Sequence, residues 1–368
     1  MMDSPKPKGT RTGFTTGANA TACVSAALRV LLGGAEAQAD EVVIRLPEGQ
    51  TPAFRILSTT RQGDSVTCAT IKDGGDDPDA THGAEIRATV RLTALKGQIR
   101  FLQGEGVGKV TKPGLGLEIG GPAINPVPRR MMTEHALERL KEFGREEAGV
   151  DITVSVKDGE AIARKTLNAR LGILGGISIL GRTGIVYPYS NAAYIASIEQ
   201  GIEVALHQGA REIFLTTGGL TEDYAIKLRP DLDESAFVQM GDHVGKALDH
   251  CRKLGVPRIV LVGQIGKVSK LANGQLHTHA RKSEVNMQLM ADLAREAGAG
   301  ESEIAEILGA NTARHVFEMG AGKTWRAPFL QALCAAAAKV ASHSIGGACE
   351  VESWLFDFEG NLVGKAGI

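Results

Sequence analysis

Residues 85–93, EIRATVRLT, place an apolar side chain at every second position: Ile86, Ala88, Val90 and Leu92. A period of two predicts a strand with one buried face. Strand signals also mark 41–46, 98–104 and 152–156, and 53–73 reads as a hairpin turning at Gln62-Gly63-Asp64. Over 13–34 the period changes to that of a helix. Ala22, Ala26 and Val30 fall on one face beside Cys23, Ala27 and Leu31, and Gly33-Gly34 supply the stop. Thr15 and Thr16 stand at its start, where hydroxyls satisfy free backbone N–H groups. Helices are expected at 133–143 and 159–166, after a glycine- and proline-rich segment, 104–131, too long for a plain connection.

Beyond a second glycine-rich stretch at 171–190 the order becomes helix 191–208, strand 212–217, helix 235–254, strand 258–265, helix 280–297. That alternation predicts a parallel sheet with helices packed on it. Helices at 301–308, 312–318 and 326–342 follow, and a terminal hairpin closes the chain. The expected organisation is α/β in two domains: an α+β domain over 1–187 and an α/β domain over 188–368.

Composition narrows the function. Aromatics are 4% of the 368 residues, so the core is built from Ala, Val, Ile and Leu. A net charge of −1 argues against a general nucleic-acid or membrane-surface binder. The five cysteines are scattered without a C-x-x-C, which favours reduced thiols over a disulfide framework or zinc site. The polar start MMDSPKPKGTRTGF lacks the apolar core of a signal peptide, and no apolar run reaches spanning length. The expectation is a cytoplasmic protein; assembly into a homo-oligomer is left open.

Three segments carry candidate chemistry. IKDGGDDPDATHG (71–83) packs Asp73, Asp76, Asp77, Asp79 and His82 into one turn-rich loop. Carboxylates so close repel by about 3 kcal/mol per pair at an effective dielectric near 20. They must therefore meet cations, N–H donors, a proton or water. The calcium-loop alternation is missing, and no second imidazole stands nearby for a transition metal. Asp73 and Asp76 read as turn residues bonding their own backbone. Asp79 and His82 are the catalytic candidates, a carboxylate able to face and orient an imidazole. In GEGVGKVTKPGL and NPVPRR, glycines allow close approach to a flat ligand. Lys112, Arg129 and Arg130 offer cations to its carboxylates, and Thr15 and Thr16 are further candidates for substrate contact. In the second half Thr217, Gly218, Gly219 and Gly263 stand at strand carboxyl ends, where open α/β sheets bind ligands; Gly181 and Gly184 join them as cofactor candidates. The HTH at 277–279 reads as loop histidines.

Taken in order, GFTTGANATA, IKDGGDDPDATHG, GEGVGKVTKPGL, GPAINPVPRRM, NARLGILGGISILGRTGIVYPYS, TTGG and GQIGKVSKLANGQLHTHA resemble the CbiD family of cobalamin biosynthesis. The resemblance spans residues 9 to about 280. It implies transfer of a methyl group from S-adenosyl-L-methionine to C1 of cobalt-precorrin-5B, giving cobalt-precorrin-6A, in the anaerobic branch. It also implies a Rossmann-like second domain, unlike the usual precorrin methylase fold, and no protein-bound metal, the cobalt being part of the substrate. The family pattern has a cysteine at Asn19 and a glutamate at Gly121, so no essential thiol or carboxylate is expected there. The substrate, a flat macrocycle edged with carboxylates, suits cationic rims and glycine-rich walls. Two rivals stand beside this reading. A non-catalytic tetrapyrrole-binding protein would take the corrinoid but not the methyl donor. An NAD-linked oxidoreductase would need the G-x-G-x-x-G that is missing after strand 212–217.

Overall fold

The computed structural model describes residues 10–368, so the polar start over residues 1–9 lies outside it. The chain divides into two compact units, one ending at Ser190 and one beginning at Asn191.

In the first unit a long helix, α1 (Thr16–Gly33), is buried along most of its length. Its Ala-rich faces let it lie against β2 (Ser65–Ile71) and β3 (Glu85–Thr93) on one side and α2 (Pro126–Glu142) on another. Small side chains allow that crowding, because each packed contact needs little room. With β1 (Ser58–Gln62), β4 (Ile99–Gln103) and β5 (Gly149–Val156), the described strands form a five-stranded sheet in the order β1-β2-β3-β5-β4. All pairs are antiparallel except β4 with β5. Ile86, Ala88 and Val90 point into the core, as their alternation requires. Asp151, near the start of the interior strand β5, is buried and held by Arg100 and Arg91 at 2.7 and 3.1 Å.

The structure corrects several expected boundaries here. The 53–73 hairpin does turn between Gln62 and Ser65, but Ala53–Arg55 leaves it to pair with Glu41–Val43. α2 starts at Pro126, seven residues before the expected 133. Prolines suit a first turn, where N–H groups lack intrahelical partners anyway, so Pro126 and Pro128 open the helix instead of delaying it.

The second unit holds helices on a mostly parallel sheet. In chain order these are α3 (Asn191–His207), β6 (Glu212–Thr216), α4 (Gly219–Leu228), β7 (Phe237–Gln239), α5 (Val244–Lys253), β8 (Arg258–Gln264) and α6 (Ile265–Ala272). There follow α7 (Met287–Glu296), α8 (Glu301–Leu308), α9 (Ala313–Met319), α10 (Arg326–Ser344), β9 (Glu350–Phe356) and β10 (Leu362–Gly367). The strand order is β7-β6-β8-β9-β10; the first four run parallel and β10 returns antiparallel. The expected helix 235–254 is instead a short turn, the strand β7 and then α5. Phe237 and Val238 are buried sheet residues, and Gly241-Asp242 break the backbone before α5. The expected helix 280–297 begins only at Met287, where the Asn286 side chain caps it. Two helices, α4 and α6, had no sequence expectation: each starts directly from a strand end that reads as a glycine turn.

From β6 the chain moves to β7 on one side, then crosses over to β8 on the other. The carboxyl ends of β6 and β8 therefore flank the point where strand order reverses, and the helices that follow, α4 and α6, pack on opposite faces of the sheet, the arrangement that in open α/β sheets leaves a ligand crevice.

Candidate functional site

That crevice gathers Thr217, which follows β6, and Gly263, near the end of β8. Thr217 donates its N–H to the Val262 carbonyl at 3.0 Å, so the two strand ends are stitched together. A side chain at Gly263 would lie 3.3 Å from the Thr217 methyl and the Val268 side chain. Gly218 is different. Its backbone is extended and a β-carbon there would meet nothing within 4 Å; one at Gly219 would meet only the Gln239 amide, at 3.7 Å. These two glycines border open space. Thr217, Val262, Gly263, Lys267, Thr278 and Ser353 line a narrow hollow beneath them.

Polar groups converge on the same edge. Met240 and Gly241, leaving β7, both donate to the Thr216 carbonyl, which brings the following Asp242 and His243 alongside. The Asp242 carboxylate accepts from Lys267 of α6 and from the Thr278 hydroxyl at 3.0 Å. Burial pushes that carboxyl up, but Lys267, Thr278 and His279 outweigh it and hold it below the usual range. His243 sits between two rings, Tyr194 with centroids 5.6 Å apart and His277 at 5.0 Å in an edge-on arrangement. Burial lowers the basicity of His243, His277 adds to that, and Asp242 opposes it. Sequence reasoning missed this cluster. The HTH was visible, but nothing local says that residues 34 and 36 positions earlier share its edge.

The acidic loop belongs to the first unit and every carboxylate in it is engaged. Asp73 takes the Arg11 guanidinium in a two-point contact and its own Gly75 N–H at 2.9 Å. Asp76 accepts the N–H groups of Thr10 and Arg11 at 3.1 and 2.9 Å, and Asp77 that of Tyr189 at 2.9 Å. Asp73 therefore binds a second segment as well as its own turn, whereas the Asp76 carboxylate, expected to bond its own backbone, is turned to the Thr10–Arg11 segment instead. Gly13 and Gly75 are needed where these segments meet, since a β-carbon on either would come within 2.4 Å of backbone atoms.

Asp79 and His82 do not face each other. Asp79 turns to Lys72, which is 1% exposed, at 2.6 Å, and takes the N–H and hydroxyl of Thr81 at 2.7 and 2.6 Å. Burial raises the Asp79 carboxyl, but Lys72 and Thr81 more than reverse that. His82 Nδ1 accepts the Gly74 N–H at 3.0 Å. That bond places the imidazole proton on Nε2, so the outward nitrogen is a donor.

The remaining candidates are placed as follows. Arg129 donates from Nε to the Ile124 carbonyl at 2.8 Å and from a terminal nitrogen to Pro122 at 3.3 Å, with its guanidinium 5.2 Å over the Phe101 ring. Much of its donor capacity thus ties down the strap before α2. Arg130 is exposed, with Glu134 at 3.9 Å. Lys112 lies on the same glycine-rich strap, and its stem is what a side chain at Gly172 would strike. Thr15 caps α1 through Ala18 N–H, and the Thr16 hydroxyl accepts the Leu180 N–H at 2.9 Å; both are buried. Gly181 and Gly184 lie in the first unit and have local reasons: at positive φ, their β-carbons would collide with Thr15 and Leu46. Asn19 is buried and donates to the Thr15 carbonyl at 2.8 Å, an amide serving the helix start.

Among the described residues no helix is long and apolar enough to cross a membrane, and no three His, Cys, Asp or Glu side chains are placed to hold a metal ion.

Comparison with known proteins is consistent along the chain. Residues 3–188 match the CbiD family model and residues 277–367 the model of the CbiD C-terminal domain. A protein of Geobacillus kaustophilus named cobalt-precorrin-5B C(1)-methyltransferase is 46% identical over 361 residues, 98% of this chain and 95% of the relative. One of the same name from Thermus thermophilus is 49% identical over 324 residues, covering 86% and 85%. A crystal structure of a cobalamin biosynthesis protein (CbiD) from Archaeoglobus fulgidus is 26% identical, covers 74% of this chain and 84% of its own, and has a TM-score of 0.39.

Proposed function

Because this chain belongs to the CbiD family, we propose that it methylates C1 of cobalt-precorrin-5B with S-adenosyl-L-methionine seated at the carboxyl edge of the second unit's sheet. The chain is a methyltransferase of cobalamin biosynthesis. The observation that carries the placement of the donor is the crevice between β6 and β8. It lies at the reversal of strand order, and Gly218 and Gly219 leave its mouth free of side chains. A nucleoside needs such an approach to bare backbone, with Thr217 and Gly263 as walls.

When bound, the sulfonium supplies an electrophilic methyl group. The protein's share is positioning. Bringing carbon and sulfur within attack distance in line supplies several kcal/mol of the barrier reduction, on the order of 7 or more. The first unit has its own candidates for substrate contact. Arg130 and Lys112 offer cations to the carboxylates of the ring's edge, and His82 offers its Nε2–H. Arg129 shapes the strap that carries them, while Thr15 and Thr16 fix the α1 start and Gly181 and Gly184 let the chain pass close beneath. Asp79 acts as a positioning residue, holding Lys72 and the loop that presents His82. The enzyme needs no metal of its own in this reading and works in the cytoplasm.

A crystal of the full chain with S-adenosylhomocysteine tests the placement. Adenosine density against Thr217, Gly218 and Gly263 is expected. Density anywhere in the first unit would overturn the assignment of the donor site.

A further inference from the structure

Methyl transfer from a sulfonium to a ring carbon breaks the carbon–sulfur bond, leaves its electron pair on sulfur and forms a carbon–carbon bond. The positive charge passes to the ring, and neutrality returns only when the ring gives up one proton. Something at the donor site has to accept it.

We infer that His243 is that proton acceptor; the inference rests on the donor site proposed above. Four observations lead to it. His243 follows β7 at the same carboxyl edge as Thr217 and Gly218, fixed there by the Met240 and Gly241 bonds to Thr216. It is half-buried, between the rings of Tyr194 and His277. It stands at the start of α5 without capping that helix, and no protein group among the described residues bonds either ring nitrogen. The neighbouring imidazoles are committed: His277 Nδ1 accepts the His279 N–H at 3.4 Å, and His279 Nδ1 accepts that of Arg281 at 3.1 Å. A lone imidazole with both nitrogens uncommitted is poised to take a proton and pass it to water.

The charged and titratable groups facing His243 are Tyr194, Asp242, His277 and Lys282. Burial, His277 and Lys282 disfavour its protonation and Asp242 favours it, with a net lowering below 6.5. At neutral pH the ring is therefore an unprotonated base. Asp242 is turned to Lys267 and Thr278, so it is not itself the acceptor.

The test uses full-length His243→Gln and His243→Ala. In the wild type, the His243 imidazole followed by NMR should titrate below 6.5, and kcat for cobalt-precorrin-5B should rise with pH through the same range. His243→Gln should bind S-adenosylhomocysteine within twofold of wild type, lose roughly 100-fold in kcat and lose that acidic limb. In His243→Ala, added imidazole should restore part of kcat. Wild-type kcat and an unchanged pH profile in His243→Gln would overturn the inference, as would failure of imidazole to rescue a folded His243→Ala. Failure of the donor-site reading looks different: wild-type protein would then bind S-adenosylhomocysteine away from Gly218.

Discussion

Asp79→Asn is a test of what the acidic loop is for. Three donors converge on this carboxylate: the Lys72 ammonium at 2.6 Å on one oxygen, and the Thr81 N–H and hydroxyl at 2.7 and 2.6 Å on the other. An amide has one acceptor oxygen. Whichever way the substituted amide turns, its NH2 would point at a donor, and Lys72 would be a buried cation without an anion. Removing one partner of a buried ion pair costs about 3–5 kcal/mol. Asp79 retains 23% exposure, so the lower end, about 3 kcal/mol, applies. For a unit of this size that corresponds to a fall of about 6–12 °C in melting temperature. Far-UV circular dichroism follows the melt. Both tryptophans, Trp325 and Trp354, lie in the second unit, so their emission checks that unit's folding. Replacing Lys72 by Met as well should recover part of the loss, since the stranded charge disappears. The pH dependence has a definite sign. The folded Asp79 pKa is depressed, so its contribution is complete above the unfolded value of about 3.9 and fades as pH falls through the folded one. The gap between wild type and Asp79→Asn should be constant from about pH 5 to 8 and close in acid. A variant within about 0.5 kcal/mol of wild type at pH 7, or a double variant no better than the single, would refute the reasoning.

Gly218→Val should leave the melting temperature unchanged, because its side chain meets nothing. It should also weaken S-adenosylhomocysteine binding by roughly tenfold or more, about 1.4 kcal/mol, by calorimetry. Arg130→Ala should raise the corrinoid dissociation constant by roughly fivefold, about 1 kcal/mol for an exposed charged contact, with stability untouched. Gly106→Ala should destabilise by about 2–3 kcal/mol in urea, since Gly106 has φ of 70° and its β-carbon would lie 2.0 Å from the Val156 carbonyl.

What was legible in the sequence follows from the range of the forces involved. β3 was read residue for residue, because a two-sided strand writes its alternation into adjacent positions. The terminal hairpin and the strands β6 and β8 were equally plain. α4 and α6 were not, because a helix leaving a strand end through glycines looks like a turn. The start of α2 was hidden by prolines that a first turn tolerates. The position of Thr217, Gly218, Gly219 and Gly263 at strand carboxyl ends was legible, but the partners of the polar candidates were not. Arg11 with Asp73, Lys72 with Asp79, and His243 with His277 depend on chain paths that bring distant or oppositely facing residues together. The Asp79–His82 pairing failed for a simple reason: the buried Lys72 ammonium takes the carboxylate, and His82 Nδ1 is taken up by the Gly74 N–H.

The account's central claim is a methyl transfer at one carbon. Cobalt-precorrin-5B is incubated with the protein and S-adenosyl-L-methionine carrying a 13C-labelled methyl group, and the product is read by mass spectrometry and 13C NMR. The account predicts one labelled methyl per macrocycle, bonded to C1, with one equivalent of S-adenosylhomocysteine released. A macrocycle recovered unlabelled, or labelled at another position, would contradict it.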